Sequence, residues 1–431
     1  MQLHPVFTDR RGSVLPIFAL SIIPIFGVIG ASVDYTRASA ARASIQAALD
    51  SAALMLSKDA ASIQDGSLGD KAHDYFFTLF HHPEAQNVTV NTPVYTAASG
   101  VSQLTITASA DIKTNFMKVV GYSQLHVGSS ATVKWGNNKL RIALALDNTG
   151  SMASSGKMTA LKTATKNLLD SLKNAATKDG DVYVSIIPFS KDVNVKLDAD
   201  TYTKDWLDWT SWNAANGTCS KTQYTTKNSC TNHSGTWTAA NHSTWNGCVT
   251  DRDQVNDAKN TTPVVGSTST LFPAEQFSGC PVSVQALTYN WTNLKAKVDA
   301  MTPTGNTNIT VGLAWAWQSM TENAPLDAPA IDPADTIPTQ KIIILLTDGD
   351  NTENRWTTSQ SSIDARTKAT CQNIKDAGIT LYTVLVMQGN ASLLQDCASN
   401  PKYFFNLTSA DQIITTFNQI GTQLSKLRLA Q

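Results

Sequence analysis

Apolar and polar positions alternate in a regular way over most of the chain. Residues 139–189 and 284–428 alternate short apolar runs with longer stretches in which apolar positions recur at helical spacing. This alternation predicts parallel strands joined by helical crossovers, which is the pattern of a doubly wound α/β domain. The predicted strands are Leu140–Leu146, Val182–Pro188, Lys341–Leu346, Ile379–Val386 and Tyr403–Asn406. The predicted helices cover residues 157–174, 290–300, 309–321, 361–377 and 410–427.

The N-terminal segment has the composition of a membrane anchor. Val14–Val33 is a run of twenty residues without a charge, and about twenty apolar residues span a bilayer as a helix. Pro16 and Pro24 interrupt the run, but membrane helices tolerate proline better than soluble helices do. A cleaved signal peptide usually has a shorter apolar core, and a buried core helix is the other alternative. We therefore expect a cytoplasmic tail over residues 1–13 and an uncleaved transmembrane helix over residues 14–33.

The segment between the apolar run and the α/β domain predicts a stalk. Residues 34–57 are rich in alanine, and their larger apolar positions have helical spacing. Residues 87–135 alternate apolar and polar positions between turn residues, which predicts a small antiparallel sheet. Residues 34–136 are therefore expected to form a helical stalk with a small β region, an α+β arrangement like that of a pilin. The positions that suggest helical packing are Ile45, Leu49, Ala52, Ala53 and Leu56.

The predicted α/β domain, residues 137–431, is interrupted between residues 190 and 283. This insertion is polar and contains both aromatic residues and cysteines. A long segment without regular structure is usually functional or disordered, and the aromatic residues argue against disorder. We expect its tryptophans to contact a partner, because interface energy concentrates in such side chains. The alternative is that they pack a small disulfide-linked subdomain. The tryptophans are Trp206, Trp209, Trp212, Trp237 and Trp245.

The charge of the chain limits the partners that it can bind, and the position of its cysteines indicates the compartment. Charged residues make up 16% of the chain, the net charge is −1 and no long basic run occurs, so nucleic acid is excluded as a partner. Basic residues flank the apolar run on both sides, and the positive-inside rule does not decide its orientation. All six cysteines follow the apolar run, which indicates an oxidising compartment for the bulk of the chain.

The cysteines are expected to form disulfides. Cys371 lies in a predicted helix and Cys397 just after the next predicted strand, so the two are expected to pair. The other four lie in the insertion and are expected to pair there, with three connectivities open. Cys230 and His233 have a zinc-like spacing, but the usual partner pair is absent and a disulfide is favoured.

Oxygen-bearing side chains follow two predicted strands and one predicted loop. "IALALDNTGSM" ends a strand at Asp147 and continues with Thr149 and Ser151, and "IIILLTDGDNTEN" ends a second strand at Asp348. "TPTGNTNIT" opens a helix and carries Thr307. Open α/β sheets bind ligands at the carboxyl ends of their strands. Carboxylates and hydroxyls suit Mg²⁺, with Mn²⁺ or Ca²⁺ as alternatives, and a carboxylate from a partner can fill the open position.

These residues also allow simpler interpretations. Thr149 and Ser151 could cap the helix that begins near Lys157. Asp350 and Glu353 could form a second ion site, although a solvated acidic loop is the favoured interpretation.

Three motifs in the same order resemble the von Willebrand factor A domain. They are "LALDNTGSM", "GNTNITVGL" and "ILLTDGDNT", and they match the metal-ion-dependent adhesion site of that family. The resemblance implies a divalent cation bound by Asp147, Thr149, Ser151, Thr307 and Asp348. The commoner motif has serine at the position of Thr149, and threonine keeps the oxygen.

The N-terminal half is similar to TadG-like proteins of bacterial tight-adherence (Flp) pilus-assembly systems. The similarity lies in "RRGSVLPIFALSIIPIFGVIGASVDYTRA", in the alanine-rich helix and in the closing "QIGTQLSKLRL". It implies a single-pass protein of the bacterial inner membrane, with most of the chain periplasmic or exposed at the surface. Pilus-assembly proteins or pilin subunits are the implied partners. Ile17 stands where prepilin processing would need glutamate, so no such cleavage is expected.

The sequence therefore favours a non-enzymatic, membrane-anchored protein of pilus assembly and cell adhesion that engages protein partners through a bound cation. A metal-dependent phosphatase-like hydrolase is the first alternative, but that chemistry needs a second acid two residues after Asp147, where Thr149 stands. A purely structural envelope scaffold is the second alternative.

Overall fold

The chain divides into two units. The computed structural model describes residues 14–59, 67–98, 101–136, 138–335 and 337–429. The boundary between the units falls between Gly136 and Asn137. The cytoplasmic tail predicted over residues 1–13 lies outside the described residues.

The N-terminal unit packs two helices on an antiparallel sheet. Strand β3 is central: it pairs with β4 along one side and with both β1 and β2 along the other. The β3–β4 hairpin is long and regular, with Val101 opposite Gly136 at one end and Lys113 opposite Gln124 at the tip. The elements are α1 (Val14–Asp59), α2 (Ser67–Leu79), β1 (Ala85–Val90), β2 (Val94–Ala98), β3 (Val101–Lys113) and β4 (Gln124–Gly136).

Helix α1 runs without interruption through the predicted span and the predicted stalk helix. The five positions with helical spacing, from Ile45 to Leu56, are all buried against the sheet and α2, so this packing prediction is confirmed. Residues 14–33 form the first part of α1. In the parts of the chain that the structure describes, no helix is both long enough and apolar enough to cross a membrane, so the predicted transmembrane helix is not confirmed.

The C-terminal unit is built on a ten-stranded sheet. Its order is β16-β15-β14-β5-β6-β7-β11-β12-β8, and β13 also pairs with β6. The five strands from β16 to β6 are parallel, as predicted. These five parallel strands are β5 (Lys139–Asp147), β6 (Val182–Phe189), β14 (Thr339–Thr347), β15 (Thr380–Val386) and β16 (Phe404–Leu407). The shorter strands are β7 (Val193–Asn194), β8 (Leu207–Asp208), β9 (Gly217–Cys219), β10 (Trp237–Ala239), β11 (Cys248–Val249), β12 (Phe272–Glu275) and β13 (Gln285–Thr288).

Helices cover both faces of this sheet. Strand residues alternate between the faces: Ala143 and Ala145 face the core under α7, α8 and α9, whereas Leu144 and Leu146 face the core under α3, α6 and α10. Because both faces are buried, the central strands are apolar throughout rather than alternating. The helices are α3 (Lys157–Ala175), α4 (Thr210–Ala215), α5 (Lys227–Asn232), α6 (Trp291–Asp299), α7 (Ile309–Gln318), α8 (Gln360–Asp376), α9 (Ala391–Cys397) and α10 (Gln412–Leu429).

The segment 190–283 has regular structure that its sequence did not predict. Its short strands β7, β11, β12 and β8 continue the main sheet, and β7 and β11 run antiparallel to their neighbours, so the sheet is mixed rather than wholly parallel. Trp206, Trp212 and Trp245 are buried in the core on one face of the sheet, in the same cluster as Trp315. These three indoles stabilise the fold and are not accessible to a partner.

All six cysteines form disulfides. Cys371 pairs with Cys397, as predicted. The other four pair within the insertion, Cys219 with Cys230 and Cys248 with Cys280, which settles the connectivity that the sequence left open.

The Cys371–Cys397 disulfide joins α8 to α9 inside the core and closes a loop of 26 residues. Replacing both cysteines by alanine should lower the free energy of unfolding by about 3 kcal/mol, because the unfolded chain gains the freedom that the cross-link removes. Urea denaturation of the full chain measures this change. A loss below about 1 kcal/mol would contradict the expectation.

Candidate functional site

Two carboxylates lie side by side at one edge of the sheet. Asp147 is the last residue of β5, and Asp348 directly follows β14, the parallel strand that pairs with β5. The two strands end together because Leu146 lies opposite Leu346. Both aspartates are buried.

A chain of hydrogen bonds joins the two carboxylates. Asp147 accepts at Oδ1 from the Thr149 backbone N–H (2.8 Å) and at Oδ2 from the Thr347 hydroxyl (2.6 Å). The hydroxyls of Thr149 and Ser151 are 2.9 Å apart, and Ser151 donates to Asp348 Oδ1 at 2.6 Å. The structure therefore brings together four of the five predicted ligand side chains.

Neither hydroxyl caps a helix. The N-cap of α3 is Gly156, and Thr149 begins a short 3-10 turn over Gly150–Ala153 without a side-chain capping bond. The capping interpretation of Thr149 and Ser151 is therefore wrong.

Thr307 approaches the site through its loop. Its backbone N–H donates to the Thr352 hydroxyl at 2.8 Å, and its carbonyl accepts from Thr352 N–H at 2.9 Å, which ties it to the loop after β14. The loop that carries Thr307 is also held to the loop after β5, because the Gly150 N–H donates to the carbonyl of Gly305 at 3.0 Å. Within the described residues, no hydrogen bond joins the Thr307 hydroxyl to the other four side chains.

Burial, followed by the charge of Asp348, raises the pKa of Asp147 from 3.8 to about 6. One cation lies against the pair: the ammonium of Lys157 contacts Asp348 Oδ2 and is itself buried. Sequence reasoning missed Lys157. A signal existed, because lysine at the first residue of a helix opposes the helix dipole and needs a local reason to be there.

The donor set fits a hard divalent cation. Two buried carboxylates that repel each other, with hydroxyls between them, are oxygen ligands of the kind Mg²⁺ prefers. In the described parts of the chain, no group of three or more His, Cys, Asp or Glu side chains could hold a metal.

A second layer, which the sequence did not reveal, fixes the loops. The buried amide of Asn351 accepts from the Ile309 N–H at 2.8 Å and donates to Asp364 at 2.7 Å, so it connects the loop after β14 to the starts of α7 and α8. Asp251, from the insertion, accepts from the Asn308 amide at 2.8 Å and from the Arg355 N–H at 3.1 Å.

The sequence also raised two other ion sites, one at Asp350 and Glu353 and one at Cys230 and His233. Glu353 accepts a hydrogen bond from Asn306, and the neighbouring Asp350 is exposed, so the solvated-loop interpretation is favoured. Cys230 is in a disulfide, and the ring of His233 bonds the Ser229 carbonyl at 2.9 Å and stacks on a tyrosine. The disulfide makes the Cys230 thiolate unavailable to a metal, so the zinc-like spacing with His233 does not form a site.

Comparison of the chain with models of protein families gives two matches. Residues 12–57 match the Tad family, described as Flp pilus-assembly TadE/G-like. Residues 258–419 match the von Willebrand factor type A domain. The second match contains the loops that carry Thr307 and Asp348, and the loop after β5 lies before it. No curated protein sequence matches the chain.

Solved structures similar to the chain include pilus proteins. The pilus adhesin SpaC from Lactobacillus rhamnosus GG is 15% identical, with a TM-score of 0.39 over 81% of this chain and 36% of its own. The vWF domain of the type V pili tip protein Mfa5 from Porphyromonas gingivalis is 10% identical, with a TM-score of 0.37 over 67% of this chain and 95% of its own. Proximal thread matrix protein 1 from the mussel byssus, with a zinc-occupied MIDAS motif, is 16% identical, with a TM-score of 0.34 over 67% of this chain and 46% of its own. This chain therefore spans less than half of the SpaC and mussel chains.

The family matches fall on different units of the structure. The Tad match covers most of α1, and the von Willebrand match covers the second half of the α/β unit with its mixed sheet. The chain therefore joins a TadE/G-like pilus-assembly segment to a von Willebrand factor type A domain, the combination that its resemblance to TadG-like proteins predicts.

Proposed function

We propose that this chain is a membrane-anchored protein of pilus assembly or adhesion that binds one divalent cation and engages a protein partner through it. The observation that carries the proposal is the pair of buried aspartates linked by hydroxyls at the carboxyl edge of the sheet. The proposed ligands are Asp147, Thr149, Ser151, Thr307 and Asp348.

The electrostatics of the site support a cation. Asp147 and Asp348 are desolvated, and burying charge without compensation is costly. Lys157 supplies one positive charge for two carboxylates. A divalent cation, with Mg²⁺ favoured and Mn²⁺ or Ca²⁺ as alternatives, balances the pair when bound and leaves a position that a carboxylate of the partner can fill.

The proposed partners are pilus-assembly proteins or pilin subunits, with a carboxylate of a surface ligand as a further candidate. The support is the Tad match over residues 12–57. A hydrolase has less support, because Thr149 is engaged with Asp147 and Ser151 and no acid stands in its place.

The proposed location is the bacterial inner membrane, with α1 as the anchor and the rest of the chain periplasmic or surface-exposed. Support comes from the uncharged sequence of residues 14–33 and from the exposure of its apolar side chains. Those with described exposure above two-fifths are Phe18, Leu20, Ile25, Phe26, Val28, Ile29 and Val33. Three disulfides agree with an oxidising compartment.

Asp348→Ala should abolish the binding of Mg²⁺ to the full-length protein in detergent, because it removes one of only two carboxylates. Asp350→Ala is the matched control, since Asp350 is two residues away and exposed. Titration calorimetry of both variants and of the wild type measures the affinity. Unchanged affinity in Asp348→Ala, or equal losses in both variants, would refute the ligand assignment.

Asp147→Asn should stabilise the metal-free protein at neutral pH. Because the pKa of Asp147 is raised from 3.8 to about 6, the folded state favours the protonated acid. The wild type therefore loses stability as the pH rises from about 4 to about 6, by about 3 kcal/mol at roughly 1.4 kcal/mol per pKa unit, and the variant does not. Thermal unfolding in chelator from about pH 4 to about pH 8 should show the stability of the variant, relative to the wild type, rising up to about pH 6 and then staying level. A constant difference at every pH would contradict this.

Lys157→Met should tighten Mg²⁺ binding by about tenfold, because the ammonium that competes for Asp348 is removed and about 1.4 kcal/mol of competition is a factor of ten. Lys162→Met, on the same helix but bonded to the Asp299 carbonyl, should bind metal like the wild type. Calorimetry compares the three proteins. Weaker binding in Lys157→Met would mean that the lysine supports the site instead of competing for it.

A further inference from the structure

The tip of the β3–β4 hairpin carries exposed apolar side chains. Between Lys113 and Gln124 the chain makes a 3-10 turn over Met117–Val120. Val119 is 88% exposed and Val120 is 70% exposed. Phe116 and Tyr122 are also more than half exposed. Isolated exposed apolar residues are ordinary, but four of them in seven residues form a patch that needs an occupant.

Helix α1 holds this tip in a fixed place. The buried carboxylate of Asp34 accepts hydrogen bonds from the backbone N–H groups of Asn115 (3.0 Å), Phe116 (2.8 Å) and Met117 (2.8 Å). One turn earlier, Gly30 lies so close to Phe116 that a Cβ there would come within 2.5 Å of the Phe116 side chain. The tip is therefore docked on α1 beside residues 30–34.

The rest of the hairpin extends along α1 away from the uncharged segment. The Gln46 amide donates to the Ser130 carbonyl, midway along β4, at 3.3 Å. Gln46 lies twelve residues beyond Asp34 on α1, which is about 18 Å along a helix. The hairpin thus points its tip toward the segment that ends at Val33.

We propose that the hairpin tip, residues 116–122, is a second membrane contact that inserts its apolar side chains at the lipid surface beside α1. This inference rests on the proposed membrane location. The exposed apolar side chains Val28, Ile29 and Val33 lie within two residues of Gly30 or Asp34, the positions of α1 that contact the tip, so a bilayer that covers them reaches the level of the tip as well.

The chemistry of the tip matches a lipid surface. Lys118 is the only charged residue between Lys113 and Gln124, so the tip is cationic and suits anionic headgroups. An apolar edge with an aromatic ring at each end is typical of segments that lie at the headgroup boundary. An unpaired carboxylate near lipid costs free energy. The carboxylate of Asp34 is paired, because the three N–H groups and Arg37 satisfy it.

The proposal is tested on the full-length protein by measuring how deeply a label on the hairpin tip enters the bilayer. Its six cysteines are all in disulfides, so Val119→Cys provides one thiol for an environment-sensitive fluorophore. The matched control is Thr132→Cys, on the exposed side of the same hairpin. Both proteins are reconstituted in vesicles of phosphatidylethanolamine and phosphatidylglycerol with shallow nitroxide-labelled lipid. The label at position 119 should be quenched at least about twofold more than the label at position 132, as expected for insertion of about 5–10 Å.

Flotation of the same vesicles separates the two proposals. If the protein floats and the label at position 119 is no more quenched than its control, the hairpin contact is overturned and the anchor stands. If the protein does not float, both are overturned. If quenching is absent and the unlabelled Val119→Cys protein, treated with a mild oxidant in the same vesicles, forms a disulfide-linked dimer, the patch is a protein interface and the lipid assignment is overturned.

A substitution checks that the apolar side chains themselves are responsible. Val119→Glu with Val120→Glu should reduce the quenching of a label at Tyr122→Cys by at least about half, because charge opposes insertion. Val94→Glu, at another exposed valine of the same unit, should leave that quenching unchanged. Equal quenching in the two backgrounds would overturn the proposal.

Discussion

The need to balance two buried negative charges governs the α/β unit. Asp147 and Asp348 are brought together by the pairing of β5 with β14, and that pairing is itself fixed by apolar residues on both faces of the sheet. Neither carboxylate has access to bulk water, so each must be satisfied by donors or by cations. The threonine and serine donors and Lys157 supply part of this compensation. The negative charge that remains uncompensated is the physical basis of the proposed cation.

The segment between residues 190 and 283 helps to hold the loops of the site in place. Its strands extend the sheet, and its Asp251 joins the cap of α7 to the loop after β14 through Asn308 and Arg355. Burial raises the pKa of Asp251, while the bonds from Arg355 and Asn308 oppose that rise. The segment is therefore part of the framework that positions the loop before α7 and the loop after β14.

The sequence predicted the parts of the structure that follow from periodicity. The apolar strands of the doubly wound sheet, the packing positions of α1 and the Cys371–Cys397 pair were all predictable, because each depends on spacing within or between neighbouring elements. The two-residue strands of the insertion were not, since two residues have no period. Lys157, Asn351 and Asp251 were missed because each acts on a loop distant in sequence, and only the fold brings them there.

The order of the sheet has a consequence for self-association. The strands at its margins are short: β16 and β13 have four residues each, and β8 has two. Few backbone donors and acceptors are thus left unpaired at either margin, and short edges are a recognised protection against the addition of a foreign strand. The margins therefore oppose the joining of two copies of this domain by extension of the sheet. Contacts between side chains are the route to assembly that this sheet leaves open, and where such contacts involve exposed charges their strength depends on ionic conditions.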